Sequence, residues 1–118
     1  MIQLSTGVKA LEEIRILSVI QKEKLFTAGE LSSSSDLTLA GKLAAKEAFL
    51  KSLSIQEHAS FYKKIEVKSS PVRKPFIETS EKDLLEKVGN RRISVSISHT
   101  DDIAVAVCLL YDEKERAG

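Results

Sequence analysis

Four charged side chains at helical spacing, Lys42, Lys46, Glu47 and Lys51, lie inside an otherwise apolar stretch from Leu39 to Leu53. The stretch is a run of strong helix formers broken only by Gly41, which predicts a helix. At about 100° per residue, Leu39, Leu43 and Leu50 cluster on one side, extended by Ala45, Phe49 and Leu53. Ala40, Ala44 and Ala48 keep most of the remaining surface small and apolar. A helix apolar nearly all round is a buried helix, and charges on it need partners or a ligand. Glu47 and Lys51 stand four apart with the acid first, the favourable order for a helical ion pair. Lys42 and Lys46 share that spacing with like charge, and repel unless an anion or carboxylates lie between them. A phosphate-bearing ligand would satisfy them. On a solvated face the Glu47–Lys51 pair would be ordinary surface chemistry; its apolar surroundings favour a site.

His99 is the other candidate, between a serine-lined segment and Asp101-Asp102. With Thr100 it could donate to phosphate oxygens, although a lone loop histidine is more often a turn residue. His58 has no such context. The chain holds no CxxC, HExxH, P-loop or dinucleotide fingerprint and no G-x-S-x-G elbow. Two histidines and one cysteine make a zinc site an unfavoured reading. Cys108 sits in an apolar run and reads as a buried structural thiol.

At 118 residues the chain fits a single domain over 1–118. Eighteen basic against 17 acidic residues lack the excess of a generic nucleic-acid binder. No apolar run reaches the length of a membrane span, and Met1-Ile2-Gln3-Leu4 lacks the layout of a signal peptide. A lone cysteine allows no intrachain disulfide. Together these predict a cytoplasmic protein with no nucleic-acid or membrane partner.

The candidate residues need elements to hold them. Residues 1–7 read as a short strand or extended entry ending at Gly7, and residues 9–24 as a helix with an imperfect apolar face. Ser32-Ser-Ser-Ser-Asp36 is the clearest loop, with Asp36 able to cap the central helix. Ile65 and Val67 alternate with polar neighbours in a strand at Lys64–Lys68, and Phe76-Ile77 starts another. Ser80 to Val88 reads as a short helix capped by Thr79 or Ser80 and ended by Gly89-Asn90. Ile93, Val95 and Ile97 alternate with serines, and Ile103–Leu110 follows a short polar loop, which predicts an antiparallel hairpin. Residues 112–118 read as a frayed charged tail. Helices mixed with hairpin strands give an α+β domain.

The helix Leu39-Ala-Gly-Lys-Leu-Ala-Ala-Lys-Glu-Ala-Phe-Leu-Lys51 resembles the A-G-R-F-A-A-K-E-A-F-x-K signature of the holo-acyl-carrier-protein synthases, in the 4'-phosphopantetheinyl transferase superfamily. Three further segments match in order: Gly7-Val-Lys-Ala-Leu-Glu-Glu-Ile-Arg-Ile16, Leu25-Phe-Thr-Ala-Gly-Glu-Leu31, and Ser96-Ile-Ser-His-Thr100 followed by Ala104-Val-Ala-Val107. The resemblance implies a phosphopantetheinyl transferase-like fold, a long central helix on a small antiparallel sheet. It implies transfer of 4'-phosphopantetheine from coenzyme A to a serine of an apo acyl carrier protein, releasing 3',5'-ADP. It further implies Mg²⁺ held by Glu47, with Glu47 and Lys51 as the catalytic pair. Lys42, Lys46, Ser98, His99 and Thr100, together with Lys9, would contact coenzyme A, in a homotrimer with active sites between subunits.

One departure changes the chemistry: the family's metal-binding aspartate falls at Lys9. Three readings stay open. The ammonium could fill the metal position beside Glu47, it could touch the pyrophosphate directly, or local slippage could let Glu12 or Glu13 act as ligand. The first would allow a relative that binds coenzyme A or a carrier protein without transferring anything. The glycine-rich loop after the helix is replaced by Ser54-Ile-Gln-Glu-His58, and an N-G-K-P turn survives only as Val72-Arg-Lys-Pro75.

Overall fold

The structure, a computed structural model, describes residues 2–72 and 74–112. Strand β1 (Ile2–Ala10) leads into helices α1 (Leu11–Arg15), α2 (Val19–Leu25) and α3 (Ala28–Ser33), then the long α4 (Asp36–Ser52). Two 3₁₀ turns, His58–Ser60 and Tyr62–Lys64, precede β2 (Ile65–Ser69) and β3 (Pro75–Thr79). Helix α5 (Lys82–Val88) and the hairpin β4 (Arg92–His99) and β5 (Ile103–Tyr111) follow. One antiparallel sheet has the order β1-β5-β4, and β2 pairs β3 in a second. The α+β architecture is the expected one, a long central helix on a small antiparallel sheet.

Helix α4 is buried almost all round, from Leu39 and Ala40 through Ala44 and Ala45 to Phe49 and Leu50. Its C-terminal half packs with Ile65, Leu84, Val88, Cys108 and Leu110. Its N-terminal half packs with Ile14, Phe26 and Ala104. The sheet face beneath it is built from small residues, Gly7, Ala104, Ala106 and Cys108, which bring helix and strands close. A Cβ at Gly7 would lie 2.1 Å from the Ala44 carbonyl oxygen, so strand backbone rests directly on helix backbone. Cys108 is fully buried, and burial pushes its thiol up to about 11; it is the structural thiol expected.

Several boundaries differ from the sequence reading. β1 does not end at Gly7; it pairs with β5 through Ala10, so Lys9 belongs to a strand and not to the helix expected over 9–24. That helix is two, separated at Ser18, whose hydroxyl accepts from the Gln21 N–H while Gln21 answers the Ser18 N–H. This reciprocal cap starts a new helix even though the apolar face looks continuous. Half of the serine run is helical, because α3 extends to Ser33, and only Ser34 and Ser35 form the link to α4. Ser35, rather than Asp36, caps α4 by accepting from the Thr38 N–H at 3.2 Å. Asp36 is the first helical residue and pairs with Lys22 at 2.9 Å. Neither Thr79 nor Ser80 occupies the cap position of α5, which is Glu81. The helix ends at Gly89, whose φ of +61° suits glycine. The tail beyond Asp112 lies outside the described residues.

Candidate active site

The close approach at Gly7 positions a charged cluster. Residues of β1 alternate, so Gly7 and Lys9 both face α4 while Val8 faces outward. One helical turn from Ala44, Glu47 projects toward Lys9, whose Nζ donates to Glu47 Oε2 at 2.7 Å. Lys51 Nζ approaches Glu47 Oε1 at 3.4 Å and donates to the Thr6 carbonyl at 3.1 Å. Lys9 and Glu47 are largely sheltered, with side chains 19% and 16% exposed, whereas Lys51 at 49% reaches solvent. Tyr62 lies near the pair; burial raises its phenol, with Lys9 opposing and Glu47 adding to that shift. His58 Nε2 donates to the Ile55 carbonyl at 2.8 Å, leaving Nδ1 to face the Tyr62 hydroxyl at 3.4 Å. The sequence reading gave His58 no context; its i,i+4 spacing to Tyr62 was the available signal.

Burial opposes charge on both partners of the Lys9–Glu47 bond, yet their attraction outweighs it. The hydrogen bond and charge of Glu47 hold Lys9 above the usual lysine value. Lys9, then Lys51, hold Glu47 below the usual carboxylate range. The depressed Glu47 contributes stability that is present above its unfolded value and lost as pH falls through the folded one. The raised Lys9 contributes stability that is present below its unfolded value and lost as pH rises through the folded one. The stability difference between wild type and Lys9→Met is therefore expected to hold at neutral pH and shrink below about pH 4, measured by urea unfolding across pH.

The donor set does not suit the divalent metal that the resemblance implies. Among the described residues no group of three or more His, Cys, Asp or Glu side chains is placed to hold a metal ion. Glu47 has both oxygens facing ammonium groups. A dication 4 Å from one ammonium would meet about 8 kcal/mol of repulsion at an effective dielectric constant of about 20. Slippage does not supply a carboxylate either. Glu12 and Glu13 are exposed on α1, and Glu13 accepts from the Ala10 N–H at 2.6 Å.

Lys46 corrects an expectation. It does not line a coenzyme pocket: its side chain is fully buried, and its ammonium donates to Glu30 at 2.6 Å, the Leu25 carbonyl at 2.9 Å and the Tyr62 carbonyl at 2.8 Å. Those contacts use all three donors of an ammonium, and the Phe26 ring lies 5.3 Å away. Burial pushes Lys46 below the usual lysine value, with Glu30 offsetting part of the shift. Glu30, which the sequence reading placed in the Leu25–Leu31 match without giving it a role, also accepts from the Thr27 and Val67 N–H groups. The T-x-x-E spacing of Thr27 and Glu30 was its signal.

The remaining candidates lie elsewhere. Lys42, five residues and about 140° round the helix from Glu47, lines a cleft of about 390 Å³ with Ser33, Ser34, Thr38 and Lys68. His99 shares a sheet row with Ala104 and Lys9, separated from Lys9 by β5. Its Nδ1 donates to the Thr100 carbonyl at 3.0 Å. Thr100 Oγ1 accepts from the Asp102 and Ile103 N–H groups and shapes the turn. Ser98 is exposed on the outer face of the sheet. Lys9, Glu47 and Lys51 thus form one cluster, with Lys42 and the Ser98–Thr100 group apart from it.

No family model matches the chain. Its sequence is 36% identical to the holo-[acyl-carrier-protein] synthase of Dehalococcoides mccartyi over 93 residues, covering 75% of this chain and 77% of that one. It is 34% identical to that of Halothermothrix orenii over 113 residues, covering 85% and 90%. The fold superposes on the Chronobacterium ammoniagenes ACPS–CoA complex with a TM-score of 0.80 and 25% identity, covering 96% of this chain and 98% of that chain. Long coverage at this identity, on the fold that carries the Lys9–Glu47–Lys51 cluster, shows that the chain belongs to the holo-[acyl-carrier-protein] synthases.

Proposed function

We propose that this protein transfers 4'-phosphopantetheine from coenzyme A to a serine of an apo acyl carrier protein. The observation that carries this is the Glu47–Lys51 pair on α4, held against β1 in a chain of this family. The serine Oγ attacks the phosphorus bearing the pantetheine, the bond to the leaving phosphate breaks, 3',5'-ADP departs and the serine proton passes to water. Lys51, half in solvent, carries positive charge to where the phosphate oxygens gain negative charge. Glu47 orients both ammonium groups and accepts no metal in this role.

The assembly proposed is a homotrimer in the cytoplasm. No helix among the described residues is long and apolar enough to cross a membrane. The sheet's outer face leaves Ile2, Leu4 and Val8 more than half exposed, beside Ile103 and Val105, an apolar patch of the kind that marks an interface. On one protomer the coenzyme residues are divided between the Glu47 cluster and the Lys42 and His99 groups, and a second copy would complete the site.

One experiment tests transfer and sharing together. Lys51→Ala and His99→Ala are each expected to lower transfer by about 10²-fold, read as the mass gain of an apo carrier protein. Mixed and reassembled, the two variants should regain activity in trimers holding one intact site. Activity that never rises on mixing would remove the shared site. No mass gain by wild type on several carriers would favour the second reading, a relative that binds coenzyme A without transfer. The Lys9–Glu47 contact is what favours it.

A further inference from the structure

The Lys9 ammonium stands beside Glu47 where the family resemblance calls for a metal ion, and its placement is built in. Sheet register sets Lys9 opposite the fully buried Ala104, so the side chain leaves the strand on the α4 side. Gly7 fixes the strand two residues earlier against the Ala44 carbonyl. Lys9 is therefore held at a sheltered position, with Glu47 taking one of its three donors at 2.7 Å. Two ammonium groups about one carboxylate leave the cluster one net positive charge, at an edge that Lys51 opens to solvent. That charge suits a diphosphate and opposes a further cation. The attraction of Glu47 keeps Lys9 protonated through the physiological range.

We propose that Lys9 is a built-in counter-cation for the diphosphate of the bound ligand, so that ligand binding at this cluster is independent of divalent metal. This rests on the reading of the site as a coenzyme A site. Glu47 holds the ammonium in place, and the remaining Lys9 donors face the diphosphate oxygens together with Lys51. Lys9 positions and neutralises; no covalent step passes through it.

The test is calorimetry of coenzyme A binding to the full chain in EDTA and in millimolar Mg²⁺, with Mn²⁺ binding followed in parallel by electron paramagnetic resonance. Wild type is expected to bind coenzyme A with a Kd that changes less than twofold between EDTA and Mg²⁺, and to bind no Mn²⁺ with or without coenzyme A. Lys9→Asp, which restores a second carboxylate, should acquire a Mn²⁺ site and bind coenzyme A at least tenfold more tightly with Mg²⁺ than without. Lys9→Met should bind coenzyme A at least tenfold more weakly than wild type in EDTA, its folding checked by circular dichroism. A tenfold or greater Mg²⁺ enhancement in wild type, or Mn²⁺ bound by wild type, would overturn the proposal while leaving the coenzyme site standing. Failure of wild type to bind coenzyme A in either condition would overturn the site reading itself.

Discussion

Replacing Lys46 by methionine is expected to destabilise the protein by about 3–5 kcal/mol, because it leaves a buried carboxylate without its cation. Glu30 is 1% exposed and keeps only its bonds from the Thr27 and Val67 N–H groups. The Leu25 and Tyr62 carbonyls lose their donor as well. Together these contacts tie α2, α3, the second 3₁₀ turn and β2 to the central helix, so the loss spreads over much of the fold. Thermal unfolding should show a drop of about 10–20 °C. Adding Glu30→Gln should recover part of the loss by removing the uncompensated charge. Full recovery is not expected, since one amide oxygen replaces two carboxylate oxygens that now accept from separate N–H groups. A loss under 1 kcal/mol in urea unfolding would show that the pair is dispensable.

Gly7→Ala is expected to lose about 3 kcal/mol, at the upper end of the range for overpacked cores. The new Cβ would meet three backbone atoms of Ala44, at 2.1, 2.9 and 3.2 Å, and helix backbone in a packed core cannot yield one atom at a time. The strand must move off the helix, carrying Lys9 and the Thr6 carbonyl away from Glu47 and Lys51. Coenzyme A affinity should therefore fall even under conditions where the variant is fully folded. Gly41→Ala is the control. Its Cβ would meet the Ile97 Cγ2 methyl at 2.9 Å, one side-chain atom of a β-branched residue that is stiff at χ1, where Gly7 meets three atoms of helix backbone. Alanine also gains about 1 kcal/mol of helix propensity over glycine. Set against an overpacking cost of about 1–3 kcal/mol, the net change at Gly41 should be a loss no larger than about 2 kcal/mol, smaller than at Gly7. Equal losses at both positions would show that the strand–helix contact is not special.

Much of the site was legible because it is local. Glu47 and Lys51 share a helix, and i,i+4 spacing alone makes them neighbours; the structure finds them 3.4 Å apart. The β4–β5 hairpin was equally plain, since its alternation and its turn lie within twenty residues of one another. Lys42 and Lys46 show the limit. Sequence presents them as one repelling pair needing an anion. The fold separates them, sending Lys46 into the core onto Glu30 and leaving Lys42 at a surface cleft. The cue was incomplete because the carboxylate that satisfies Lys46 comes from sixteen residues away, beyond any helical period.

Lys9 divides the two levels most sharply. The sequence by itself determined that a lysine stands where the family resemblance calls for an acid, and that Glu47 and Lys51 lie on one helix face. It did not determine whether Lys9 is helical or extended, nor which way it points. Pairing of β1 with β5 through Ala10 decided the first, and the backbone contact between Gly7 and Ala44 decided the second. Helical neighbours are fixed by a few bonds of local geometry, whereas Lys9 and Glu47, 38 residues apart, meet only because a strand and a helix without intervening side chains pack backbone to backbone.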